Sequence, residues 1–260
     1  MKKSFTSRLS SMLKVDARRF FISRLTYIML AIALICPILI LVMTTMMDGS
    51  VTVNPETGVQ TEIKAFESVW LAISSRSDAP MSMDLTGMCN MNLMYFAAAV
   101  WVCLFVSEDF RSGYAKNIFT VRAKKTDYVL SKTIIGIMGG ALMLLLWLVG
   151  SLIGGAVSGL PFDTMGTGAI NLFFCLVSKL GLMAVFVPIA LAISVAAKQR
   201  AWLSICCSMG GGMLLFMMIP MLTPLDATAM HAVLCLVGGG LFALGLGAVS
   251  NLILKKTALV

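Results

Sequence analysis

Long apolar runs separated by short polar connectors dominate this chain. Six runs, each about 17 to 29 residues, lie at 25–47, 91–107, 133–158, 169–197, 202–222 and 230–254. About 20 apolar residues in helical form cross a bilayer's hydrocarbon core, so each run predicts a transmembrane helix. The runs are continuously apolar rather than alternating, which argues against a β-barrel. The predicted fold is all-α: a six-helix transmembrane domain over 25–260, preceded by an amphipathic segment over 1–24. The second run is short. The fourth is long enough to predict a tilt, or a kink at Pro188. Pro37 and Pro220 are likewise expected to kink or end helices, because each removes a backbone donor.

Within residues 3–24, Phe5, Leu9, Met12, Leu13 and Phe20 recur near three- and four-residue spacing among Lys, Arg and Ser. That pattern predicts an interfacial helix; the alternative is a floppy basic tail. The 48–90 connector carries a turn at Asn54-Pro55-Glu56-Thr57-Gly58. Phe66, Val69, Trp70 and Ile73 then predict a short amphipathic helix. Gly136–Gly140 and Gly150–Gly154 have the small-xxx-small spacing that lets helix backbones approach closely.

Composition agrees with the pattern: 59% of residues are hydrophobic, 12% are charged, and the mean hydropathy is +0.94. Charge adds an orientation. Lys2, Lys3, Arg8, Lys14, Arg18, Arg19 and Arg24 precede the first run against Asp16 alone. The connectors at 108–132 and 198–200 and the tail with Lys255 and Lys256 are also basic. The alternate connectors are acidic, with Asp48, Glu56, Glu62, Glu67, Asp78 and Asp84 in 48–90, then Asp163 and Asp226. Positive-inside bias therefore predicts both termini in the cytoplasm and 48–90 outside. It also accounts for the net charge of +8, so no nucleic-acid partner is expected. The first run is too long for a signal-peptide core and lacks a small-x-small site, which predicts a retained anchor in the plasma membrane. Of seven cysteines, only Cys89 lies outside a run, and no disulfide framework follows.

Few residues offer chemistry. Lys179 lies about ten residues into the fourth run, roughly 15 Å along a helix. A lone ammonium at that depth marks a substrate pathway, unless the span starts later and the side chain snorkels outward. Met81, Met83, Met88, Cys89, Met91 and Met94 are soft ligands, but their irregular spacing favours flexible packing over copper binding. Ser158 ending the third run and His231 opening the sixth superficially suggest an intramembrane serine protease. Position 156 is Ala where that motif has Gly, so no catalytic residue is assigned. No paired carboxylates lie inside a run, and no Gly-x-x-x-x-Gly-Lys-Ser/Thr phosphate loop occurs. Any ATP and Mg2+ used by this protein would be held by another chain.

The remaining anomaly is a charged island at 108–132. It begins Glu108-Asp109-Phe110-Arg111-Ser112-Gly113 and continues through Tyr114 to Ile118 and Phe119. It then passes Arg122, Lys124 and Lys125 to Tyr128-Val129-Leu130-Ser131-Lys132. Phe110, Tyr114, Ile118 and Phe119 are predicted near one helical face, an apolar knob able to fill a partner's groove. In topology and in this motif the chain resembles type-2 ATP-binding-cassette exporter permeases. Their connector after the second span likewise starts with an acidic residue, then Arg and Gly, then a short helix and a basic turn. The resemblance implies a permease paired with a second permease chain and a cytoplasmic ATPase dimer, moving peptide-like or amphipathic substrates. It also implies ATPase-coupling roles for Glu108, Phe110, Arg111, Gly113, Tyr114, Ile118 and Phe119. The competing class is a membrane protein not driven by ATP: a secondary transporter, a channel or a scaffold.

Overall fold

The structure, a computed structural model, describes residues 5–53, 60–62, 66–77, 89–121, 125–216 and 218–256. The turn at 54–58, Met81, Met83, Met88 and the basic turn at Arg122 to Lys124 lie outside these residues. The described chain is helical apart from one small hairpin, β1 (Val51–Val53) paired antiparallel with β2 (Gln60–Glu62). Among the described residues, five helices are long and apolar enough to span a membrane: α2 (Arg24–Met46), α3 (Leu93–Arg111), α5 (Lys125–Ser158), α6 (Ala169–Ala197) and α9 (Ala229–Lys256). Before them comes α1 (Phe5–Ile22), and between α3 and α5 lies the short α4 (Tyr114–Val121). The chain is a polytopic, membrane-embedded protein.

The expected fifth span is the main departure. Residues 202–222 do not form one continuous helix. They form the 16-residue α7 (Ala201–Phe216) and the four-residue α8 (Ile219–Leu222), which has Pro220 in its first turn. Sixteen residues reach about 24 Å, short of the roughly 30 Å hydrocarbon core. Proline suits a helix's first turn, where its missing N–H costs nothing. Pro37 and Pro188, in contrast, sit inside α2 and α6 without ending either helix.

Helix boundaries also redraw the charged island. The α3 helix runs on through Glu108, Asp109 and Phe110, and α5 begins at Lys125, eight residues before the expected span. With 34 residues, α5 is about 51 Å long and extends well past a hydrocarbon core.

Glycines set how closely the helices approach. A Cβ on Gly150 would collide with the Leu34 carbonyl oxygen of α2, and one on Gly154 would lie 2.9 Å from the Ile38 Cα. On another face of α5, Gly136 and Gly140 receive Val187 and Met183 of α6. Gly181 of α6 and Gly239 of α9 meet backbone to backbone. The small-xxx-small pairs therefore serve packing within the chain. Dispersion across such close contacts is what holds helices together when lipid removes the hydrophobic drive between them. The best-buried large side chains, Trp101, Trp147, Tyr95, Tyr128 and Phe20, mark a core centred on α3 and α5, with α1 packed against it.

The two ends of the bundle differ. At the acidic end, Val69–Ala72 forms a single 3-10 turn capped by Ser68 rather than the expected amphipathic helix. Phe66, Val69 and Ile73 are buried there, and the Trp147 indole donates to the Ala72 carbonyl at 3.0 Å. Ser68 donates to the Asp163 carbonyl, and Ser74 to the Thr223 carbonyl, both at 2.6 Å. The acidic connectors thus close over one another. Asp226 accepts from the Ser77 amide at 3.0 Å and from its hydroxyl. Partial burial pushes Asp226 upward, but the Ser77 bonds and nearby Arg76 outweigh it and hold the carboxyl below its ordinary range. A depressed carboxylate contributes stability above its unfolded pKa, about 4, and loses it as pH falls through the folded value. Thermal midpoints taken through the acid range should fall less steeply in Ser77→Ala than in the wild type.

Candidate functional site

At the basic end, three elements converge on a buried cluster of charges. Met12, Asp16 and Phe20 form the buried stripe of α1, one turn apart. This is the expected N-terminal helix, but its inner face carries a carboxylate and docks on protein. Asp16 accepts from the Lys132 ammonium of α5 at 2.8 Å and from the Ser131 hydroxyl at 2.6 Å. Lys132 also meets Asp109 of α3 at 2.7 Å, and the Tyr128 hydroxyl donates to Asp109 at 2.9 Å. Arg19 of α1 lies 2.5 Å from the other Asp109 oxygen. That contact is a pairing of charge rather than an aligned hydrogen bond. Asp16, Asp109 and Lys132 are at most 2% exposed.

Two acids and two bases make the cluster neutral. Aromatic faces complete it. The Lys132 ammonium sits 4.1 Å from the Phe105 ring centroid, and the Arg19 guanidinium 4.2 Å from that of Tyr114. Each such contact contributes on the order of 0.5–2 kcal/mol. Burial works against the Arg19 charge, but Asp109 outweighs it and raises the pKa above that of an ordinary arginine. Burial, with the charge of Asp16 adding, pushes the Tyr114 phenol up as well. A second pair, Arg8 with Asp127 at 3.1 Å, ties the start of α1 to the first turn of α5. The Lys125 ammonium donates to the Leu254 carbonyl of α9 at 2.5 Å. The basic connectors thus meet at one end of the bundle.

The coupling residues expected from sequence fall into two groups. The helix breaks at Ser112-Gly113, where Gly113 takes a φ of +73° that an L side chain adopts only with strain. Phe110 therefore belongs to α3 and Tyr114 to α4, so the expected single face from Phe110 to Phe119 is divided. Phe110 is buried, Tyr114 lies under Arg19, and Ile118 packs against the core. Phe119 meets Tyr128 edge to face at 5.3 Å. These four side chains turn into the protein. Glu108, Arg111 and Lys116 face outward. Arg111, Gly113 and Lys116 line a groove of about 650 Å3 together with Lys198, Gln199 and Arg200. Its opposite wall is fixed where the Gln199 amide reaches the Phe110 carbonyl at 3.5 Å.

Lys179 lies far from this cluster and is fully buried rather than snorkelling. Its ammonium donates to Asn92 Oδ1 at 2.6 Å and to the Thr223 hydroxyl at 3.2 Å. Its own carbonyl accepts from the Tyr95 hydroxyl at 3.0 Å. It therefore joins the start of α3, the middle of α6 and the connector after α8. Among the described residues no carboxylate pairs with it. Ser158 donates to the Gly154 carbonyl, while His231 Nδ1 is taken by Thr228. The described hydrogen bonds do not join Ser158 to His231.

Sequence reasoning missed the roles of Asp16, Arg19, Asp109 and Lys132. One signal was present: Asp16 is the lone acid of the basic N-terminal segment, four residues from both Met12 and Phe20 on the apolar stripe. No family model, curated protein or solved structure matches this chain.

Proposed function

We propose that this chain is the membrane subunit of an ATP-binding-cassette exporter, driven by ATP hydrolysed on a separate cytoplasmic ATPase dimer. The observation that carries the reading is the binding of α1, α3 and α5 into one unit by the Asp16–Lys132–Asp109–Arg19 cluster, with α4 held against it. A push on the exposed side of α4 would move α3 and α5 together, because breaking the cluster strands charges in a low-dielectric interior. The resemblance of the 108–132 island to exporter permeases supplies the source of the push. In this reading, Glu108, Arg111 and Lys116 touch the ATPase. Phe110, Gly113, Tyr114, Ile118 and Phe119 transmit the load inward. The termini and basic connectors lie in the cytoplasm of a bacterial cell, and α7 and α8 are the two pieces of a sixth crossing. Lys179 belongs to the substrate pathway. A second permease chain and lipid cover the outward side chains of α9, such as Val237, Leu241 and Leu244.

Co-purification tests this. The wild-type chain, expressed with its candidate ATPase, should assemble and show stimulated ATP hydrolysis. Phe110→Ala/Tyr114→Ala should lose the stimulation, and so should Arg111→Glu/Lys116→Glu, whose exposed positions leave the fold intact. If both double variants assemble and hydrolyse ATP as wild type does, the coupling role is wrong. If the chain binds no ATP-binding-cassette ATPase at all, a channel, secondary transporter or scaffold replaces this reading.

A further inference from the structure

An apolar groove of about 320 Å3 runs between α6, α8 and α9, within the size range of small-ligand sites. Leu182, Phe186, Leu222, Cys235, Gly238 and Phe242 are among its walls. It opens on the bundle's apolar flank, where Met218, Leu234 and Phe242 are each about half exposed. Its Leu222 wall adjoins the partners of Lys179. Leu222 is followed directly by Thr223, whose hydroxyl accepts from the Lys179 ammonium at 3.2 Å. The Cys235 thiol donates to the Leu222 carbonyl.

Beside Thr223, two buried donors remain open among the described residues. Lys179 has three ammonium hydrogens and, among the described residues, two acceptors, Asn92 Oδ1 and Thr223 Oγ1. The Asn92 side-chain amide gives its oxygen to Lys179, and its Nδ2 is buried with no hydrogen-bond partner among the described residues. Exchanging the amide's O and N would set an N–H against the ammonium, so the Lys179 contact fixes the orientation. Asn92 also occupies the N-cap position of the 19-residue α3, with no side-chain capping bond, at an end that carries partial positive charge. Ammonium, amide donor and helix terminus are all electropositive, and among the described residues no carboxylate offsets them. A buried cation without an anion is costly.

We propose that this groove binds a single-chain anionic amphiphile of the fatty-acid type. Its hydrocarbon chain lies along Leu182, Phe186 and Phe242, and its carboxylate meets Lys179 and Asn92. Two open donors match the two oxygens of a carboxylate. A groove of this volume takes one chain rather than two, which favours a free carboxylate amphiphile over a phospholipid. The carboxylate reaches the donors when the segment around Leu222 and Thr223 shifts, since Lys179 is closed off in the present conformation. The inference deepens the reading of Lys179 as a pathway residue. It is read out by binding alone, so it stands or falls separately from the ATPase partnership.

The test is binding of radiolabelled dodecanoate to the full-length protein in neutral phosphatidylcholine nanodiscs. Lys179→Met should weaken binding at least tenfold. Gly238→Leu fills the groove from a position where a new side chain meets nothing within 4 Å, and it should do the same without touching the charge. Gly240→Leu, equally open but not part of the groove, should bind within twofold of wild type. Unlabelled dodecanoate should compete, while dodecyltrimethylammonium should not. Wild-type binding by Gly238→Leu overturns the proposal. So does equal weakening in Gly240→Leu, which would indicate partition into the bilayer. Preferential competition by a short-chain phosphatidylglycerol overturns it in favour of a phospholipid site.

Discussion

Replacing Lys132 by Met is expected to be among the most damaging single changes in this chain. The ammonium it removes is shared by Asp16 at 2.8 Å and Asp109 at 2.7 Å, both fully buried. Only Arg19 would remain to balance two carboxylates. Removing one partner of a buried pair costs about 3–5 kcal/mol, because the other charge is left uncompensated. The pair itself need not contribute that much; the cost lies in what it leaves behind. A denaturation midpoint in detergent should therefore fall sharply for Lys132→Met. Adding Asp16→Asn should recover much of the loss, since the cluster is then neutral again with Arg19 facing Asp109. A double-mutant cycle measures this directly. If Asp16→Asn/Lys132→Met is less stable than Lys132→Met alone, the cluster is not an electrostatic unit. Lys132→Arg is not a safe substitute. The planar guanidinium differs in shape from a point charge held between two carboxylates and the Phe105 ring.

A methyl group at Gly150 carries the second large expected effect. In an isolated helix, Gly→Ala is favourable by about 1 kcal/mol. Here the new Cβ would strike the Leu34 carbonyl oxygen and lie 2.7 Å from the Pro37 ring. A backbone carbonyl cannot rotate away as a side chain does, so α2 must move off α5. Overpacking of this kind costs about 1–3 kcal/mol, which exceeds the propensity gain. Gly150→Ala should lower the thermal midpoint. Gly240→Ala, whose Cβ meets nothing within 4 Å, should leave it unchanged or raise it slightly. Equal midpoints for the two variants would show that α2 is not seated on the glycine stripe.

The island at 108–132 shows where sequence reading was sufficient and where it was not. Its charge, its two flanking apolar runs and its short helix were all legible, since each depends on residues near one another in the chain. The division of its aromatics was not. Phe110, Tyr114 and Phe119 look like one apolar face until Gly113 turns the backbone at φ +73°. Their inward direction depends on Arg19 and Tyr128 arriving from other helices. Lys179 was legible as an oddity because a cation inside an apolar run is costly wherever the helix packs. Its partners, Asn92 and Thr223, lie 87 and 44 residues away, and nothing in the local pattern pointed to them.

The fifth apolar run gave a similar result. Its hydropathy predicted one helix over 202–222, and Pro220 warned of an interruption. The structure has α7 ending at Phe216 and α8 starting at Ile219. Hydropathy records preference for lipid and says little about helix continuity, because neighbouring helices can satisfy the backbone groups a break exposes.

By itself, the sequence determined that this protein is helical and membrane-embedded and which connectors are basic or acidic, because transfer energy and positive-inside bias act residue by residue. The tertiary structure alone decided which charges neutralise one another, which glycines are closed by a neighbour's backbone, and that Leu222 in the wall of an apolar groove adjoins Thr223, a partner of Lys179. Those are properties of pairs distant in the chain, and their energies exist only once packing has removed water and lipid from between them.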